Sequence, residues 1–153
     1  MNNAKYFTRI LSIEIDKSNI CGTVNQIIIL INTITKIKKD CSWIAADILT
    51  MPDGWLGLSN NLIPYYFNNT NDLISKLDPK FQFIFGIFIC CNKDKNKKKW
   101  TRIFDAEDSN IPELQNGFLE IRPFDSSYYE IYSTELDVIN LYASVFKSKI
   151  EIL

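Results

Sequence analysis

Phe81–Cys91, FQFIFGIFICC, is apolar at nearly every position. A strand with one wet face alternates, whereas a strand covered on both faces reads as an unbroken hydrophobic run. The segment is therefore expected to be the centre of a sheet. The run that follows it, Asn92–Lys99 (NKDKNKKK), is a solvated loop, and Trp100–Phe104 (WTRIF) is expected to return as the next strand of a hairpin with a basic tip. On the other side, Cys41–Leu49 (CSWIAADIL) is a short apolar strand closed by the turn Met51–Gly54, where Pro presets one φ and Gly permits a positive one. Thr70 or Asn71 is placed to cap a short helix over Asp72–Leu77, which ends before Pro79.

Further out, residues 6–15 (YFTRILSIEI) alternate, with Leu11, Ile13 and Ile15 on one face and Ser12 and Glu14 on the other, the pattern of a half-buried strand. Residues 23–38 read as a helix. Thr23 and Gln26 have the spacing of a capping box, and Val24, Ile27, Ile28, Ile31 and Ile34 form a helical stripe. Lys36, Lys38 and Lys39 lie at its end, where cations oppose the helix dipole. Phe118–Phe124 and Tyr128–Ser133 are strands around the turn Asp125–Ser127. Ser133 or Thr134 then caps a helix over 135–146 that buries Leu136, Ile139, Tyr142 and Phe146, with Val138 and Val145 beside them. The tail Lys147–Leu153 has the length to add an edge strand. This order of elements gives a single α+β domain over residues 1–153: an antiparallel-rich sheet of five or six strands with two main helices packed on one face.

A chain of 153 residues with 46% hydrophobic side chains buries a sizeable core without staples. The four cysteines, at 21, 41, 90 and 91, form no CxxC, and the chain has no histidine. A zinc site is therefore not expected, and reduced, buried thiols in a cytoplasmic protein are. Residues 1–9 lack the apolar core of a signal peptide, and Ile27–Ile31 is far short of the roughly 20 residues that span a bilayer.

Charge divides the chain. Residues 1–100 hold 13 Lys+Arg against 8 Asp+Glu, a net of +5; residues 101–153 hold 4 against 10, a net of −6. An acidic third is suited to a cationic partner. The absence of histidine removes the commonest general base, so a binding protein with no cofactor is favoured over an enzyme. Asp105, Glu107 and Asp108 form a local acidic cluster without the Gly and terminal Glu of an EF-hand loop. Glu120 and Glu130 lie in neighbouring strands and are close enough in sequence to face each other, with Arg122 beside them. A salt-bridge ladder on a solvated surface is the plainer account, and the carboxylate pair of a glycosidase the sharper one. Tyr128 and Tyr132 are expected to be exposed anchors flanked by Glu130 and Glu135, because tyrosine buries area while keeping its hydroxyl satisfied. The lysine-rich tip lacks arginine and interleaved aromatics, so nucleic acid is not the expected partner.

The segment FLEIRPFDSSYYEIYS, Phe118 to Ser133, and the following ELDVINLYASVF resemble the C-terminal part of small immunity proteins of bacterial contact-dependent and polymorphic toxin systems. The resemblance implies a small cytoplasmic, non-enzymatic protein that binds a cognate toxin, often a basic nuclease. On that reading Asp105, Glu107, Asp108, Glu120, Glu130 and Glu135 supply charge, Tyr128 and Tyr132 supply apolar contact, no membrane is involved, and the chain is a monomer or a weak homodimer. A carboxylate hydrolase and a self-associating scaffold are the alternatives.

Overall fold

In the computed structural model, which describes residues 2–57, 63–93 and 100–153, the apolar run forms a strand, Gln82–Asn92, flanked on both sides by others. Seven strands make one sheet: β1 Tyr6–Leu11, β2 Cys41–Met51, β3 Tyr65–Phe67, β4 Gln82–Asn92, β5 Gly117–Phe124, β6 Tyr128–Ser133 and β7 Ile150–Ile152. Their order is β3-β2-β4-β5-β6-β1-β7, and every pairing among the described residues is antiparallel. The strands thus number seven where five or six are predicted, because three-residue β3 and β7 complete the two edges. The middle position belongs to β5, with β4 one place away.

Both faces of β4 are covered, for different reasons. Phe88 and Cys90 point into the main core with Trp43 and Ala45 of β2, Ile121 of β5 and Ile131 of β6. The helices that close this core are α2 (Val24–Thr33), α3 (Thr70–Ser75) and α4 (Leu136–Phe146). Ile87, Ile89 and Cys91 point the other way, where Trp100, Phe104 and Ala106 lie over them. Trp100–Phe104 is therefore not a returning strand. The place beside β4 is taken by β5, and residues 100–116 instead cross the sheet as an irregular strap that covers part of its second face. The basic run after β4 lies, apart from Asn92 and Lys93, outside the described residues.

Three large polar-tipped rings of the main core are buried with their donors satisfied, which lets each contribute on the order of 2 kcal/mol of apolar burial without an orphan group; the buried Trp100 Nε1 on the second face has no such partner among the described residues. Trp43 Nε1 donates to Thr70 Oγ1 (3.0 Å), Trp55 Nε1 to the Lys76 carbonyl (2.8 Å), and Tyr142 Oη to the Leu30 carbonyl (2.6 Å), tying α4 to α2.

Local hydrogen bonding shortens several expected elements. The strand of residues 6–15 stops at Leu11, and Ser12–Asp16 forms a helical turn, α1. Ser12 Oγ donates to the Ser18 carbonyl and Asp16 accepts from Ser18 N–H, a closed local set that outweighs the alternation. Ile10 is buried and Leu11 exposed, so the predicted inward face is reversed. Helix α2 begins as expected, Thr23 Oγ1 accepting from Gln26 N–H (3.2 Å), but Gln26 Oε1 caps Gly22 N–H (3.1 Å) rather than that of Thr23. It ends at Thr33 and tightens into a 3₁₀ turn, Ile34–Lys36. There the Thr33 and Thr35 hydroxyls bond back to the Ile29 and Asn32 carbonyls, and only Lys36 lies in the terminal turn. Asn69, rather than Thr70 or Asn71, caps α3. Ser133 Oγ accepts from Glu135 N–H ahead of α4. Leu136 and Val145 of that helix are exposed, while Val138, Ile139, Tyr142 and Phe146 are buried. No helix among the described residues is long and apolar enough to cross a membrane.

All four cysteines are unpaired and buried, Cys90 and Cys91 on opposite faces of β4. Burial pushes the Cys21 thiol up to about 11 and Cys91 to about 12, from an ordinary 9.0. The folded state therefore holds these protons more tightly than the unfolded one. Their contribution is fully present below pH 9.0 and is lost as pH rises toward the folded values. Two results are expected: a denaturation midpoint that falls steadily above about pH 9, and thiols that react with a disulfide reagent at neutral pH only on the timescale of unfolding.

Candidate functional site

The strap over the second face of the sheet is built around two buried guanidiniums. Glu120 alternates with Arg122 on β5, so both side chains leave the sheet on this face. Glu120 is fully buried. It accepts from Arg102 Nη1 at 2.8 Å and from Arg122 Nε in a short hydrogen bond. Burial alone would raise the Glu120 carboxyl, but the charges of Arg122 and Arg102 outweigh it and hold the group below the usual carboxylate range. The remaining donors of the two arginines reach the strap's main chain: Arg122 Nη1 the Asp108 carbonyl (3.0 Å) and Arg102 Nη1 the Glu113 carbonyl (2.7 Å). The strap is pinned again where Ala106 N–H donates to Asp47 Oδ2 (2.7 Å). Asp47 sits at φ 50° in the β-bulge of β2, which turns its carboxylate onto this face.

These anchors fix the outer side of the strap. Asp105, Glu107 and Asp108 are exposed there, in a tight turn where Asp105 Oδ1 accepts from Glu107 N–H and Asp108 Oδ1 from Asn110 N–H. None of the three forms an ion pair among the described residues. Ile103 and Ile111 flank them, 84% and 49% exposed, at the rim of a shallow cleft of about 180 Å³ that reaches down to Arg102 and Arg122. Among the described residues no three His, Cys, Asp or Glu side chains are arranged to hold a metal ion.

Beyond the strap the same face stays open. Arg122 is opposite Glu130 on β6, which is opposite Arg9 on β1. One step along, Phe124, Tyr128 and Leu11 form an apolar row. Tyr128 stacks on Phe124 (5.4 Å between centroids, 11°), which meets Phe85 edge-on, and Arg9 lies 4.1 Å above the Tyr128 ring. Tyr128 and Glu130 are half-buried.

The predicted site residues thus separate into groups. Asp105, Glu107 and Asp108 share one exposed turn, and Glu130 and Tyr128 lie on the same face beside it. Tyr132 is not an exposed anchor: it is 7% exposed, packs on Phe7 (4.9 Å) and donates to Glu130 Oε2 (3.2 Å). Glu120 pairs across the strands with Tyr132 and not with Glu130, and its ladder is sealed under the strap rather than solvated. Glu135 stands at the start of α4 on the helical side, bridged to Lys38 at 3.1 Å. Sequence reasoning did not find Arg102, Asp47, Ile103 and Ile111: the first and third lie in the segment read as a returning strand, Asp47 inside an apolar strand, and only Ile111 in the irregular acidic stretch. No family model, curated protein or solved structure matches the chain.

Proposed function

We propose that the protein is a non-enzymatic inhibitor of the immunity type, which binds a basic toxin domain through the strap and the open face beside it. The observation that carries this reading is the acidic turn Asp105–Asp108, held by its own hydrogen bonds and without an ion pair among the described residues, set between two exposed isoleucines and anchored from beneath by Arg122. Charge at a pre-positioned rim accelerates encounter, and apolar side chains within it supply contact area without an ordering cost. The carboxylate-hydrolase alternative is poorly served. Glu120 is clamped between Arg102 and Arg122, and Glu130 is engaged by the Tyr132 hydroxyl, so neither is placed to protonate a leaving group.

The test is co-expression in a bacterial host with the basic C-terminal domain of the polypeptide encoded beside it. Growth is expected to be restored by the wild type and lost with Asp105→Lys/Glu107→Lys/Asp108→Lys, whose circular dichroism stays unchanged. In purified form the reversal is expected to slow association about 10- to 100-fold at low salt. Rescue that persists undiminished in the reversed variant removes this surface from the account, and absence of any complex removes the reading.

A further inference from the structure

We propose that a second copy of this chain docks on the outer edge of β7, joining the two sheets antiparallel about a two-fold axis at Ile150. β7 ends the sheet, so its far side has no strand among the described residues. The Leu153 N–H donates to the Lys5 carbonyl, and the register pairs Glu151 with Phe7. Hydrogen-bonding groups alternate sides along an antiparallel strand. Ile150 and Ile152 therefore turn both N–H and C=O outward, away from β1, as a short template for another strand.

The side chains agree with that template. Ile150 lies on the helical side with Thr8, and Ile152, on the same side, is 82% exposed; Leu153 and Val145 of α4 add exposed apolar surface nearby. On the opposite side Lys149 and Glu151 line one shallow groove with Phe7, Arg9 and Leu11. An antiparallel pairing of Ile150 with its own copy sets Lys149 against Glu151 of the other chain, twice, at the non-hydrogen-bonded positions where side chains come closest. It also gives Lys149 a counter-ion in a groove that already contains Arg9. A pairing centred one residue later would set Glu151 against Glu151 and is disfavoured by like charge. Charge complementarity thus selects both the occupant and its register, in an isologous contact of the kind closed dimers use.

The experiment is sedimentation velocity and light scattering over a concentration series, at low and high salt, on the full chain. A dimer that grows with concentration is expected. Lys149→Glu is expected to weaken it about tenfold, and Lys149→Glu/Glu151→Lys to recover it, since the swapped pair restores the contact. Ile150→Pro removes an outward N–H that β1 does not use and is expected to abolish the dimer, while the loss of the partly covered isoleucine side chain lowers the monomer's melting temperature by only about a few degrees. A chain that is monomeric throughout overturns the proposal. So does a dimer indifferent to Ile150→Pro, or one that the double swap fails to restore.

Discussion

Glu120→Gln is expected to be among the most destabilising single substitutions in this chain, although the side chain changes by one atom. The carboxylate is the shared counter-ion of Arg102 and Arg122, whose side chains are 10% and 2% exposed. Burying charge is costly, and a pair broken from one side leaves the other charge uncompensated, at about 3–5 kcal/mol. With a chain of this size losing about 2–4 °C per kcal/mol, the midpoint should fall by about 10 °C. The pH dependence identifies the cause. Because the folded carboxyl titrates below its ordinary 4.5, its contribution is present above that value and is lost as pH falls through the folded value. The wild type should therefore lose stability in acid more steeply than Glu120→Gln, and the two denaturation midpoints should converge there. The strap should also loosen first, since Arg122 and Arg102 hold its Asp108 and Glu113 carbonyls. Replacing all three charged residues by methionine and leucine should recover much of the loss, because well-packed apolar groups often equal a buried ion cluster. Equal midpoints for the wild type and Glu120→Gln at neutral pH would refute this role.

Gly22→Ala should be of similar severity for a steric reason. Gly22 has φ 86°, a conformation that costs an L-residue about 1–2 kcal/mol. A Cβ there would also overlap the backbone carbonyl of Phe83, while the Gly22 carbonyl accepts from Phe83 N–H at 2.7 Å. Backbone on both sides leaves little room to relax, and overpacking adds about 1–3 kcal/mol. The residue also starts α2: its N–H donates to Gln26 Oε1 and to Tyr129 Oη (2.9 Å), which itself donates to Gln26 (2.7 Å). A total of about 2–5 kcal/mol is expected, read as a lowered urea midpoint with an unchanged m-value. Gly54, which also has positive φ but no atom within reach of an added Cβ, is the control. Its alanine variant should lose only the conformational part.

The elements most legible in sequence were those whose pattern is set by the main core. The doubly covered run forms a strand one place from the middle of the sheet, the hairpin around Asp125–Ser127 lies where the reading placed it, and α4 buries Ile139, Tyr142 and Phe146 of its predicted stripe but not Leu136. The second face of the sheet was not legible. Trp100 and Phe104 have the spacing of a strand, yet they are drawn onto Ile87 and Ile89 from outside the ladder, a choice made by long-range packing. The same misreading hid the site. Once 100–104 is taken as a strand, Arg122 and Glu120 look like a surface ladder; only a strap over them turns them into a buried anchor. Alternation also misled at residues 6–15, where the Ser12–Ser18 hydrogen bond ends the strand. The acidic third, read as one patch, is divided by these contacts: Glu120 neutralises arginines inside, Glu135 meets Lys38, and Asp105, Glu107 and Asp108 remain outward.

The most direct measurement of the binding account is the association rate of the purified chain with the basic toxin domain we propose as its partner, recorded against ionic strength by stopped-flow fluorescence. The account predicts a rate that falls steeply with added salt in the wild type. For Asp105→Lys/Glu107→Lys/Asp108→Lys it predicts a slow rate that is nearly flat with salt, and for Glu135→Lys a rate close to wild type. Identical salt slopes for the wild type and the triple reversal would contradict it.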